Sequence, residues 1–146
     1  MRLEWVIPCT EVHFPAGEEP ITIHGAGFDH INVPALPQRI DFTVLLRVAG
    51  LPFDFTEDAP RTIEVYLTGP GLDHLAALDM EVPPGEPGPD HVEGWEVWTF
   101  VPVAIGFTAQ QAGPHMLDIY LATDRPERLV DPSRRRSLHF MVALAN

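Results

Sequence analysis

Lysine is absent from this 146-residue chain: all nine basic residues are arginines, set against 21 aspartates and glutamates, for a formal net charge of −12. That surplus repels nucleic acid and anionic membranes, so neither is expected as a partner. Arg134, Arg135 and Arg136 make the one basic run, and they are expected to pair with nearby carboxylates rather than to hold phosphate. Cysteine is nearly absent too. A lone Cys9 cannot close an intramolecular disulfide, which excludes a stapled secreted scaffold, and it is expected to pack as a small hydrophobe with its thiol pKa raised by burial. No run approaches the 18 or so apolar residues of a membrane helix. The N-terminal stretch is broken by Glu4, Pro8, Glu11 and His13, unlike the apolar region of a signal peptide, so the expected location is the cytoplasm. Serine occurs only as Ser133 and Ser137, neither within a G-x-S-x-G elbow, and nothing else asks for nucleophilic catalysis.

Proline, by contrast, is plentiful: 16 residues, about twice the usual share, which disfavours helices and favours loops and strand ends. With 45% hydrophobic residues the chain has enough apolar material for one core, and no linker separates two, so a single domain over 1–146 is expected. The clearest periodicity runs from Arg39 to Ala49, where Ile40, Phe42, Val44, Leu46 and Val48 alternate with more polar neighbours as in a half-buried strand. Ile63, Val65 and Leu67 mark a second strand, stopped by Thr-Gly-Pro-Gly at 68–71. His115, Leu117, Ile119 and Leu121 mark another from Gly113 onward, and Leu138, Phe140, Val142 and Leu144 a last one over Ser137 to Ala145.

Elsewhere the pattern is less regular. Leu3 to Phe14 and Ile21 to His24 read as further strands, and Leu51 to Pro60 as a loop with Phe53 and Phe55 tucked back as anchors. Leu72, Leu75 and Leu78 have the spacing of a short helical turn before a brief strand, Leu78 to Val82. Pro83 to Gly94, with four prolines and three glycines, reads as an exposed loop. Glu96 to Phe107 is apolar on both faces, Val97, Val101, Val103 and Ile105 against Trp98, Phe100 and Ala104, which suits a central strand covered on both sides; Pro102 instead requires an edge or a bulge. About seven to eight strands with turn signals 8 to 15 residues apart predict an all-β fold, an immunoglobulin-like antiparallel β-sandwich.

Two resemblances accompany this reading. Gly113-Pro114-His115-Met116-Leu117-Asp118-Ile119-Tyr120 resembles the penultimate strand of immunoglobulin-like modules, with His115 where a tyrosine would stand and a histidine N–H able to make a similar hydrogen bond. Ile23-His24-Gly25-Ala26-Gly27-Phe28-Asp29, followed by Val33-Pro34-Ala35-Leu36-Pro37, resembles an uncharacterised bacterial family of β-sandwich proteins of unknown function. That likeness implies the fold and carries no activity.

These residues are open to three kinds of site. Gly25 and Gly27 are read as turn glycines with positive φ, since the loop lacks a phosphate-binding lysine. Asp29-His30, Asp73-His74 and Asp90-His91 offer imidazole and carboxylate ligands for zinc or iron should two pairs converge, although no H-x-H, H-E-x-x-H or C-x-x-C spacing supports it. Trp95 and Trp98, with Phe100, fit a sugar-stacking or protein-contact surface. If Trp98 and Phe100 point away from the core, with Leu45 on the same side, another surface must cover them, and a second copy of the chain is the simplest one. The expectation is thus a self-associating, non-enzymatic interaction or structural module without cofactor, binding itself or another protein. A metal site from the Asp-His pairs and a carbohydrate-binding module are the alternatives.

Overall fold

The computed structural model describes residues 1–16, 20–56, 62–122 and 132–146, with the backbone alone at 73–79 and 122. Ten strands form among them: β1 (Arg2–Cys9), β2 (Glu11–His13), β3 (Thr22–His24), β4 (His30–Val33), β5 (Gln38–Gly50), β6 (Thr62–Gly69), β7 (Leu72–Glu81), β8 (Val97–Ala109), β9 (Gly113–Ala122) and β10 (Arg135–Leu144). The helical content among the described residues is two short 3-10 turns, Pro52–Phe55 and Pro132–Arg134.

The strands make a three-stranded sheet in the order β1-β5-β8, a five-stranded sheet in the order β4-β10-β9-β6-β7, and a β2-β3 hairpin. All pairings are antiparallel except β4 with β10. Alternation decides which side of each strand is buried. Ile40, Phe42, Val44, Leu46 and Val48 of β5 and Val101, Val103, Ile105 and Phe107 of β8 share one core with Ile63, Val65 and Leu67 of β6, Leu117, Ile119 and Leu121 of β9, and Phe140 and Val142 of β10. Phe42 and Phe107 of the smaller sheet meet Phe140 of the larger at ring-centroid distances of 5.6 and 6.1 Å. Each such side chain contributes roughly 1.5–3 kcal/mol on burial.

His115 is the polar member of this interior. It is 2% exposed, stacks on Phe140 at 5.4 Å and places Nδ1 3.0 Å from the Gly113 carbonyl oxygen, the local contact foreseen for it. Gly69 on β6 is what admits the ring: a Cβ at position 69 would stand 2.3 Å from His115 Cδ2. Gly25 and Gly27 adopt φ of +60° and +79°, as a turn of this kind requires.

Several expectations need correction. The segment read as a helical turn followed by Leu78 to Val82 is one strand, β7, paired with β6. Register shifts between Glu64 and Tyr66 and between Leu67 and Gly69 offset the alternation there, so the leucine spacing has no helix behind it. Strand count exceeds the expected seven to eight because Thr10 divides the N-terminal run into β1 and β2, its hydroxyl and amide both bonding to the His24 carbonyl, and because β4 is only four residues long. Phe55 is buried as an anchor, but Phe53 is 65% exposed; with about three residues per turn in a 3-10 segment, positions two apart cannot face the same side. Finally, β8 is not a covered central strand but an edge strand, as Pro102 required, with no bulge.

Candidate functional site

The outer face of the three-stranded sheet is assembled by register. Directly opposed residues share a face, so the core positions Val44, Leu46 and Val48 of β5 send Thr43, Leu45, Arg47 and Ala49 outward. Rows of three then cross the sheet: Ile7, Leu45 and Pro102; Trp5, Arg47 and Phe100; Arg2, Ala49 and Trp98. Trp5 reaches this face because the register slips between Leu3 and Trp5, which turns the residue after Glu4 outward. Trp98 and Phe100 therefore do point away from the core that Val97 and Val101 enter.

Side chains on this face form one aromatic group. Phe100 lies 5.4 Å from Trp5 at 45° between ring planes and 5.0 Å from Trp98 at 62°. The Arg47 guanidinium sits over Trp98 at 4.8 Å from the ring centroid, a cation–π geometry, while its Nε is 3.0 Å from Glu4 Oε2. Arg2 bridges Glu4 and Glu96; its guanidinium donates to Glu96 and holds that carboxyl below the usual glutamate range. Trp98 is half exposed. Leu45, expected as a contact residue, is on this face but fully buried, because Ile7 and Pro102 flank it and close over it; it supports the patch from beneath.

The remaining predicted residues are dispersed. Trp95 is 67% exposed in the loop before β8, where its amide donates to the Val92 carbonyl, and it shares no ring contact with Trp98. Asp29 and His30 form an exposed hydrogen-bonded pair, Asp29 Oδ1 to His30 Nδ1 at 2.7 Å, at the start of β4, and that hydrogen bond lowers the Asp29 pKa. Asp90 and His91 lie in the loop before β8; His91 borders a shallow groove with Leu51, Pro52, Phe53 and Glu93. The side chains of Asp73 and His74 fall outside the described residues. Among the described residues no three His, Cys, Asp or Glu side chains come together in a way that would hold a metal ion.

Position in the fold also settles Cys9 and the arginine run. The thiol is buried 3.4 Å from the Thr43 carbonyl, and burial pushes its pKa up. Arg135 donates to Asp118 at 2.8 Å, the carboxylate pairing expected of the run, whereas Arg136 bonds the backbone carbonyls of Pro132 and Arg135 instead. Asp118 is the centre of a polar group that the linear pattern did not reveal, on the outer face of the five-stranded sheet: it also accepts from Ser137, while neighbouring Tyr66 donates to Glu64. Trp5 and Arg47 were likewise missed. The only signal for them was a one-residue interruption of the alternation in β1 and an arginine inside an apolar strand.

No family model matches the chain, and no curated protein or solved structure matches it either. Among the described residues, no helix is long and apolar enough to cross a membrane.

Proposed function

We propose that the chain is a non-catalytic interaction or structural module, an immunoglobulin-like antiparallel β-sandwich, that binds a second copy of itself through the outer face of the three-stranded sheet. The observation that carries this is the half-exposed Trp98, near one end of the edge strand β8 on the outer face of the sheet, packed on Phe100, which in turn packs on Trp5. Burying the exposed half of Trp98, roughly 100 Å² of ring, is worth about 2.5 kcal/mol, so a two-fold contact using both copies gains about twice that before the entropy of association is set against it.

Charge favours a second copy over a foreign partner. Around the face stand three arginines, Arg2, Arg39 and Arg47, and three carboxylates, Glu4, Asp41 and Glu96, all held in ion pairs with one another. Their sum is zero on a chain of net charge −12, so two copies can meet here without bringing their acidic surfaces together, whereas a basic partner would be drawn elsewhere. A two-fold contact needs a patch complementary to itself, and a neutral apolar one qualifies. The unpaired, buried Cys9 is in keeping with a reducing cytoplasmic setting.

The ring geometry weakens the carbohydrate alternative. A flat platform for several sugar units needs near-coplanar rings, and Phe100 is inclined at 45° to Trp5 and 62° to Trp98. The experiment is a dilution series followed by light scattering and tryptophan emission. Self-association predicts a mass that falls on dilution with a red shift in emission, absent from Trp98→Ser, and no response to soluble oligosaccharides. A mass of one chain at every concentration, or one unchanged by Trp98→Ser, would reject the proposal.

A further inference from the structure

Both edges of the three-stranded sheet are strands, and a 13-residue edge such as β8 is an open template for pairing with another chain. Pro102 lies near its middle. All thirteen β8 residues pair with β5 from Val97 opposite Gly50 to Ala109 opposite Gln38, without a register shift, and Pro102 stands opposite Leu45. A proline nitrogen turned toward β5 would leave a missing bond in that continuous ladder, so the Pro102 nitrogen lies on the free edge. Amide directions alternate along a strand, so the free edge presents the N–H groups of Trp98, Phe100, Ala104, Gly106 and Thr108 with a gap at position 102.

The β1 edge is blunted as well. It carries Pro8 and the register slip between Leu3 and Trp5, and the Glu4 carbonyl is taken by Arg136 Nη2 at 3.4 Å. We infer that Pro102 closes the β8 edge to strand pairing and, together with Pro8, leaves the aromatic face as the route by which a second copy binds. The first half stands on register alone; the second rests on the self-association proposed above. Pro102 is exposed while Leu45 beside it is fully buried, so one ring both covers the sheet and interrupts its edge.

The test restores the missing donor. Pro102→Thr is expected to assemble into larger species than the parent, with slowed amide exchange at Trp98, Phe100, Ala104 and Gly106. Pro102→Lys, which restores the N–H but adds a charge beside it, is expected to form no assemblies larger than the parent's and to show no slowed exchange along the β8 edge. If threonine at this position unfolds the domain, Pro102→Ala carries the same comparison. The double variant Pro102→Thr with Trp98→Ser separates the two halves: edge-paired assemblies that persist without Trp98, from a parent that is itself monomeric, would uphold the edge inference and reject the face contact. A Pro102→Thr protein with the parent's mass and exchange pattern would overturn the edge inference.

Discussion

Gly69→Ala tests the packing of the interior at its tightest point. The added Cβ would lie 2.3 Å from Cδ2, 2.7 Å from Nε2 and 2.8 Å from Cγ of His115, all well inside contact distance. The ring has nowhere to go: it is 2% exposed, stacked on Phe140 at 5.4 Å and held against Phe107 at 5.6 Å. Overpacking of this kind costs about 1–3 kcal/mol, and a pinned ring puts Gly69→Ala at the upper end. His115→Ala empties the same space and costs about 2–4 kcal/mol as a cavity. In the double variant the methyl at 69 enters the vacated volume, so the two losses should fall short of additivity by about 1–2 kcal/mol. Urea unfolding of the four proteins measures this directly. A Gly69→Ala cost that is the same with histidine or alanine at 115 would refute the reasoning. Gly106→Ala is the control: its Cβ would stand 2.1 Å from Arg39 Nη2, yet that side chain is 59% exposed and can swing away, so the loss should stay below about 0.5 kcal/mol.

Two further predictions concern charge. Asp118→Ala strips Arg135 and Ser137 of their shared acceptor on a 9%-exposed site and should cost about 1–3 kcal/mol in thermal unfolding, more than Ser137→Ala, which leaves the Arg135 pair intact. Arg2 lowers the Glu96 pKa in the folded state, so the contribution of that exposed pair is present above the ordinary glutamate pKa of about 4.3 and is lost as pH falls through the folded value. Glu96→Gln should therefore shrink the parent's loss of stability on acidification at low salt, with the difference vanishing at high salt.

Strands whose alternation runs unbroken were legible from the chain. β5, β6, β9 and β10 follow their apolar positions because one face of each enters the shared core and a one-residue slip would empty it. Where the ladder is irregular the period fails, and that is why β7 resembled a helical turn and Trp5 gave no sign of facing outward. β4 was missed because a four-residue strand is too short to show a period, and its parallel pairing with β10 is a matter of tertiary contact. The aromatic face was half legible: two-sided hydrophobicity in β8 marked Trp98 and Phe100, while their neighbours Trp5 and Arg47 come from strands distant in sequence. Leu45 shows the limit of periodicity, since a residue can lie on the outer face and still be buried by what flanks it. The Asp-His pairs were adjacent only along the chain, and adjacency in sequence places no second pair nearby.

Sedimentation equilibrium of the parent and of Trp98→Ser, from low to high micromolar concentration, tests the central claim most directly. The face contact predicts that the parent's average mass rises toward that of two chains, while Trp98→Ser stays at one chain with an unchanged circular dichroism spectrum. A parent that remains a single chain at high micromolar concentration, or a Trp98→Ser variant that associates as strongly as the parent, would contradict it.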